Sequence, residues 1–411
     1  MTGTQAPVTG TGRPHLVTRG IGRAALAIGA ITVVSNIIGF GRQLVFAHTV
    51  SATCLGTAYV TANQVPNIIY DVVVGGALTS ALVPVLAGPA ARRLGGGLGG
   101  ADGEASQIAS AMLTWTVLLL APASALVAVA ARPLASMLLA GAPRCEYAPI
   151  VATSSRMLVV FAPQILLYGL AVVLYGVLQA HRRFVIPAIA PVLSSLVVIT
   201  AYLAFVPLSH GTRNHLATLP RGAELMLSLG TTAGVAALVL TALGPALRLG
   251  LRLRPTLRFP PGVARRIRGL AAVGVAALIA QDASLIAVMV LANGHQGHGG
   301  LVLYNFGWQM FFVPYAVLAV PIAITTFPVL SAADEARFDE TAAAATRAVM
   351  LVCWLGAALL AGAAIPAARL FEHRPAEAHT LALTFAAFAP GLIGYGLTAC
   401  LPRVLFADGG A

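Results

Sequence analysis

Long apolar runs alternate with short polar breaks along this chain, and the runs decide its class. Stretches rich in Ala, Leu, Val and Ile recur near residues 22–48, 55–90, 106–131, 150–180, 184–206, 222–248, 266–293, 300–332, 341–366 and 378–406. Each is longer than the roughly 20 residues that an α-helix needs to cross a hydrocarbon core. A spanning β-barrel would show short segments of alternating hydrophobicity instead. The pattern predicts an all-α polytopic membrane protein of about ten transmembrane helices. Residues 1–20 are polar and rich in Gly, Thr and Pro, which predicts a disordered cytosolic tail. A signal peptide is not expected, because the first apolar run lacks a small-residue cleavage site and contains Arg42.

One apolar run is written twice. Phe161-Ala162-Pro163 through Tyr168-Gly169-Leu170, Leu174, Val177-Leu178 and Ala180 recurs as Phe388-Ala389-Pro390, Tyr395-Gly396-Leu397, Leu401, Val404-Leu405 and Ala407, ten identities in twenty positions. The end of the second run, Val83-Pro84-Val85-Leu86, recurs as Phe327-Pro328-Val329-Leu330 at the end of the eighth. Six helices separate the equivalents, so both copies cross in the same direction. The prediction is a parallel two-lobe repeat with a cavity between lobes that rock against each other. The expected organisation is an N-lobe of six helices over residues 21–250, a cytosolic linker over 251–265 and a C-lobe of about four helices over 266–411. Used as a ruler, the repeat leads one to expect a second lobe about two helices short.

Composition supports the membrane reading: hydrophobic residues make up 58% and charged residues 9%, with a net charge of +12. All basic residues are Arg, and they concentrate in the even-numbered loops, at Arg92, Arg93, Arg182, Arg183 and the cluster Arg248, Arg252, Arg254, Arg258, Arg265, Arg266 and Arg268. The positive-inside rule then places the N-terminus in the cytosol and accounts for the charge without a nucleic-acid partner. Leu94 to Gly100 is a Gly-rich linker without the Gly-Lys-Ser/Thr of a phosphate-binding loop. Cys54 and Cys145 fall in loops placed outside; a disulfide is open to them, with unpaired thiols the expectation. His295 and His298 lack a third ligand and read as a solvated turn, so no metal site is expected. No paired carboxylates or nucleophile–base set appear, which weighs against an enzyme.

Polar groups at membrane depth are costly and therefore candidates for function. The first helix holds Asn36 and Arg42, the second Asn63, Gln64, Asn67 and Asp71, the seventh Asp282, and the eighth Asn305 and Gln309. Arg42 lies about 27 Å along its helix, where it either faces the cavity or snorkels to the outer headgroups. Arg156, close to a helix end, is expected to snorkel. Asp282, about 24 Å along its helix, is a candidate for a coupling cation or a charge partner; Asp71 is more simply a protonated or paired structural carboxyl. No other cofactor is expected.

Several motifs together resemble a known family. Ser35-Asn36-Ile37-Ile38-Gly39-Phe40-Gly41-Arg42 is similar to the Ser-Arg-x-x-Gly-Phe-x-Arg opening of the MviN/MurJ lipid II flippases. Ala62-Asn63-Gln64-Val65-Pro66-Asn67, Ala77 to Leu86, Arg183 to Pro191, and Pro314 to Ser331 resemble its second helix, the link into its fifth and its eighth. The departures are Asn36 for the first Arg, Tyr70-Asp71 where basic residues are frequent, Gly75 for Glu, and Trp308-Gln309 for an Asp-Arg pair. The resemblance implies the MOP-superfamily fold, with a central cationic cavity holding Arg42, Asn36, Asn63, Gln64, Asn67 and Gln309. It implies transport of undecaprenyl-diphosphate-linked peptidoglycan precursor from inner to outer leaflet of a bacterial plasma membrane. The lipid-linked precursor, the bilayer and cell-wall synthesis proteins would be its partners. Another polyprenyl-linked glycan flippase, a cation-coupled exporter of the superfamily, or a non-transporting scaffold of the cell-wall machinery are the alternatives.

Overall fold

The computed structural model describes residues 14–70, 101–140, 145–181, 183–212, 215–250, 254–258, 279–294, 299–319, 335–372 and 374–407. The described residues form helices and connections, with no strand among them. In chain order the helices are α1 Pro14–Thr49, α2 Cys54–Tyr70, α3 Ala101–Val129, α4 Ala131–Leu138, α5 Tyr147–Phe161, α6 Gln164–Ala180, α7 Val185–Leu208 and α8 Arg221–Leu247. They continue with α9 Ile279–Gly294, α10 Gly300–Pro314, α11 Glu335–Gly362, α12 Ala364–Phe371, α13 Pro375–Phe388 and α14 Gly391–Ala407. Six spans among the described residues are long and apolar enough to cross a membrane, or seven if the bent pair α13–α14 is one span.

The run at 150–180 is one span, Tyr147–Ala180, as the sequence predicts, with its hydrogen-bond ladder interrupted between α5 and α6 at Ala162-Pro163. Proline has no N–H to give to the helical ladder, and Ala162 and Pro163 keep helical dihedrals across the interruption. The second copy breaks at the same place, Ala389-Pro390, and its two pieces meet at 47°. The run at 341–366 likewise divides, at Ala363, into α11 and the short α12, as α3 and α4 divide at Ala130. The eighth run is α-helical to Pro314 and widens into a π turn over Tyr315–Ala319, where that proline removes a donor.

These breaks extend the repeat from one helix to four, with α3–α6 matched by α11–α14. The register shows it. A Cβ on Gly169 of α6 would overlap the side chains of Leu120 and Thr116 on α3. One on Gly396 of α14 would overlap Cys353 on α11 and touch Val349. Only a residue without a side chain lets the helices cross this closely. The neighbouring tyrosine packs against another tyrosine ring in both copies, Tyr168 tilted against Tyr70 at 4.8 Å and Tyr395 edge-on to Tyr315 at 4.7 Å.

Three expectations are corrected. Residues 14–20, expected in a disordered tail over 1–20, are the first turns of α1. Cys54 and Cys145 are joined by a disulfide rather than left as thiols, tying the start of α2 to the connection before α5. Arg156 does not act as a simple interfacial anchor. Its Nε and a terminal nitrogen donate to Glu224 at 2.9 and 2.7 Å, which links α5 to α8. Glu224 is buried, and a buried carboxylate needs such a partner.

Candidate functional site

The first two helices supply most of the site. Arg42, Gln43 and Phe46 of α1 and Tyr59, Asn63, Gln64 and Asn67 of α2 line a polar cavity of about 190 Å³, closed by α7, α8 and the start of α10. On α2 the positions 59, 63 and 67 fall four apart, on one helical face. Arg42 forms no ion pair among the described residues. The Asn63 amide oxygen is buried there without a hydrogen-bond partner among them.

The cavity's rigid wall is a hydroxyl chain with a definite direction. Thr231 Oγ1 donates to the Leu227 carbonyl at 2.7 Å, so it must accept from Tyr59, 2.6 Å away. Tyr59 has then spent its proton and accepts from Tyr202 at 2.9 Å. Phe46 packs against both rings at 5.4 and 5.3 Å, which fixes them. Tyr59, Tyr202 and Thr231 thus keep their protons within the wall, and Arg42, Gln43, Asn63, Gln64, Asn67 and Asn305 are nitrogen donors lining the cavity.

Of the residues singled out from sequence, Arg42, Asn63, Gln64, Asn67 and Asn305 share this cavity. Asn36 and Gln309 line a different space, a mainly apolar groove of about 370 Å³ between α1 and α10, with Val33, Ile37, Phe40 and Val313. Asp282 is buried on α9, and neither carboxylate oxygen has a hydrogen-bond partner among the described residues. Asp71 lies outside the described residues. Three groups that the sequence did not single out, Tyr59, Tyr202 and Thr231, form the wall. Tyr59 had a readable signal, since it begins the four-residue spacing that ends at Asn67. Among the described residues no three His, Cys, Asp or Glu side chains gather as a metal site.

The end of the cavity near the α1–α2 connection is sealed across the two halves of the chain. Ser51 Oγ donates to Glu372 Oε2 at 2.8 Å, and the Gly299 amide donates to Thr57 Oγ1 at 2.8 Å. Asn293 Nδ2 donates to Thr61 Oγ1 at 3.2 Å and to the Leu138 carbonyl at 3.0 Å. Gly299, at φ 86°, brings its backbone against Ala52 where a side chain would overlap. Ser51 itself holds φ 62°, an uncommon conformation for a residue with a side chain.

Comparison with known proteins agrees with this architecture. The family model for the lipid II flippase MurJ matches residues 46–410. A curated relative from Burkholderia cenocepacia, the lipid II flippase MurJ, is 26% identical over 387 residues, which is 90% of this chain and 70% of that protein. A probable lipid II flippase MurJ from Rhizobium tropici is 23% identical over 80% of this chain, which spans 59% of that relative's length. Among solved structures, a lipid II flippase MurJ in an inward closed conformation superposes with a TM-score of 0.74 over 93% of this chain and 76% of its own, at 16% identity. An inward-facing MATE family transporter of the MOP superfamily follows with a TM-score of 0.67 over 94% of this chain and 85% of its own. The fold is that of the MOP superfamily, and the chain belongs to the MurJ lipid II flippase family.

Proposed function

We propose that this chain carries a lipid-linked, diphosphate-bearing peptidoglycan precursor, lipid II, from the inner to the outer leaflet of a bacterial plasma membrane by alternating access, with its N-terminus in the cytosol. The observation that carries the reading is the cavity cation: Arg42 faces a polar space at membrane depth with no anion beside it among the described residues. Burying an unpaired charge is expensive, and a protein that retains one there benefits when an anion arrives. A guanidinium meets phosphate oxygens with two parallel N–H donors, and the amides of Asn63, Gln64, Asn67 and Asn305 supply further donors around it. The cavity is smaller than the roughly 300–1,000 Å³ of ordinary ligand sites. Loading a glycan headgroup therefore requires the halves to separate, and the seam of Ser51, Thr57, Thr61, Asn293, Gly299 and Glu372 is the closure that would open toward the outside.

Asp282 is assigned the role of coupling-cation ligand or charge partner, because its carboxylate is buried with neither oxygen hydrogen-bonded among the described residues. Asp71 stays a second candidate on sequence grounds. Cell-wall synthesis proteins are the proposed partners that consume the delivered lipid. The test uses cells depleted of their own lipid II flippase. Expression of the chain restores lipid II accessibility at the outer leaflet, and Arg42→Ala lowers delivery by at least tenfold. Failure of the unaltered chain to restore it overturns the proposal.

A further inference from the structure

Residues 254–258 lie against the flank of α3, and four hydrogen bonds hold them there. The Arg254 amide donates to Ser110 Oγ at 3.0 Å and the Thr256 amide to Thr114 Oγ1 at 3.1 Å. In the other direction, Gln107 Nε2 donates to the Arg258 carbonyl at 3.2 Å and Trp115 Nε1 to the Leu257 carbonyl at 3.3 Å. Backbone groups outside a helix need partners, and here four are met by a polar stripe at 107, 110, 114 and 115, spaced for one side of a helix, while the Arg258 amide donates to Thr256 Oγ1 at 3.2 Å within the segment. Gly250, at φ 70°, follows the end of α8.

The stripe also sets depth. All four of its residues belong to the apolar span Ser106–Val129 and occupy its first turns, within about 14 Å of its start. The segment is thereby drawn down to the level at which a span passes through the headgroups. Arg254, Leu257 and Arg258 are exposed there, with Leu257 at 52%. Neither arginine forms an ion pair among the described residues. The surrounding sequence is one-signed: seven arginines lie between 248 and 268, and no acidic residue occurs from 248 to 281. An exposed leucine between two guanidinium groups at this depth complements a phosphodiester headgroup on an acyl chain.

We propose that residues 254–258 are a docking strip for anionic phospholipid, with Arg254 and Arg258 binding the phosphate and the α3 stripe holding them at headgroup depth. In the orientation proposed above the strip meets the inner leaflet; binding itself requires neither that orientation nor transport. The test is native mass spectrometry of the full chain in detergent, titrated with phosphatidylglycerol or with phosphatidylcholine of the same acyl chains. Phosphatidylglycerol binds in preference. Arg254→Gln with Arg258→Gln lowers its affinity by about fivefold per arginine. Ser110→Ala with Thr114→Val keeps both charges and still weakens binding by roughly threefold, through loss of the frame. Equal affinity for the two lipids, or an unchanged affinity in either pair of variants, overturns the proposal. Displacement of phosphatidylglycerol by soluble poly-glutamate at lower concentration also overturns it, in favour of a protein partner.

Discussion

The connections that precede α5 and α13 hold matching places in the two halves, and both reach the same short stretch around residues 51–54. In the first half the tie is covalent, Cys145 to Cys54. In the second it is one hydrogen bond, Ser51 to Glu372. The disulfide closes within the first half, whereas the hydrogen bond crosses between halves. A rocking body needs internal crosslinks that hold, and a seam needs contacts that release. The difference in chemistry follows the difference in place.

The energies separate the two ties, and the largest expected effect comes from the covalent one. A disulfide spanning 91 residues of chain stabilises by up to about 4 kcal/mol in the chain-entropy account. A single hydrogen bond contributes about 1 kcal/mol net. Cys54→Ser with Cys145→Ser should lower thermal stability strongly in detergent while leaving the distance between labels on α7 and α13 unchanged. Ser51→Ala should do the reverse: a small stability loss, by about 1 kcal/mol, and a broader α7–α13 distance distribution by spin-label spectroscopy. If removing the disulfide spread the halves, or if Ser51→Ala left them fixed, the contrast between a crosslink and a latch would collapse.

A second comparison concerns what the two copies share. Gly169 and Gly396 meet side chains in the same register, at 116 and 120 on α3 and at 349 and 353 on α11. Overpacking a close crossing costs roughly 1–3 kcal/mol, so Gly169→Ala and Gly396→Ala should destabilise by similar amounts in a thermal melt. Cys353→Ala should rescue Gly396→Ala, because the overlapping atom is the Cys353 sulfur, and Leu120→Ala should partly rescue Gly169→Ala. A rescue in one half alone would show that the crossing carries weight in only one of them.

Much of this frame was legible because it rests on residues whose backbone effects are local. The Tyr-Gly pair, the repeated proline and the long apolar runs each announce themselves without tertiary knowledge. The break at Pro163 was not legible, since a proline within a membrane helix either bends it or is accommodated according to what its neighbours supply. The placing of Asn36 apart from Arg42 was hidden for a similar reason. Asn36 and Arg42 share a helix but are six residues apart, or about 120° around the axis, so one side chain reaches the groove and the other the cavity. The groove residues Val33, Asn36, Ile37 and Phe40 instead follow the three- and four-residue spacing of a single face. Partners distant in sequence, such as Glu224 for Arg156 or Tyr202 for Tyr59, leave no local trace.

Where the copies differ, the difference lies in polar braces. Arg156 pairs with Glu224, and Gln164 Nε2 donates to Thr232 at 3.0 Å, so α8 clasps the first copy twice. The 227-residue offset puts Leu383 and Gly391 at those places in the second copy, and Leu383 is exposed at 59%. The smallest expected effect tests whether the braces matter. Arg156 is half exposed, so surroundings outside the protein screen it and Glu224→Ala should cost only about 1 kcal/mol. Leu383→Ala, which removes no partner, should stay within about 0.5 kcal/mol. Glu224→Gln should recover part of the loss, because an amide oxygen still accepts one of the two guanidinium donors. Equal, negligible costs for Glu224→Ala and Leu383→Ala would mean that the glycine crossings and proline breaks hold both copies unaided. The Arg156–Glu224 pair would then serve only to neutralise a carboxylate that the packing of α8 has already buried.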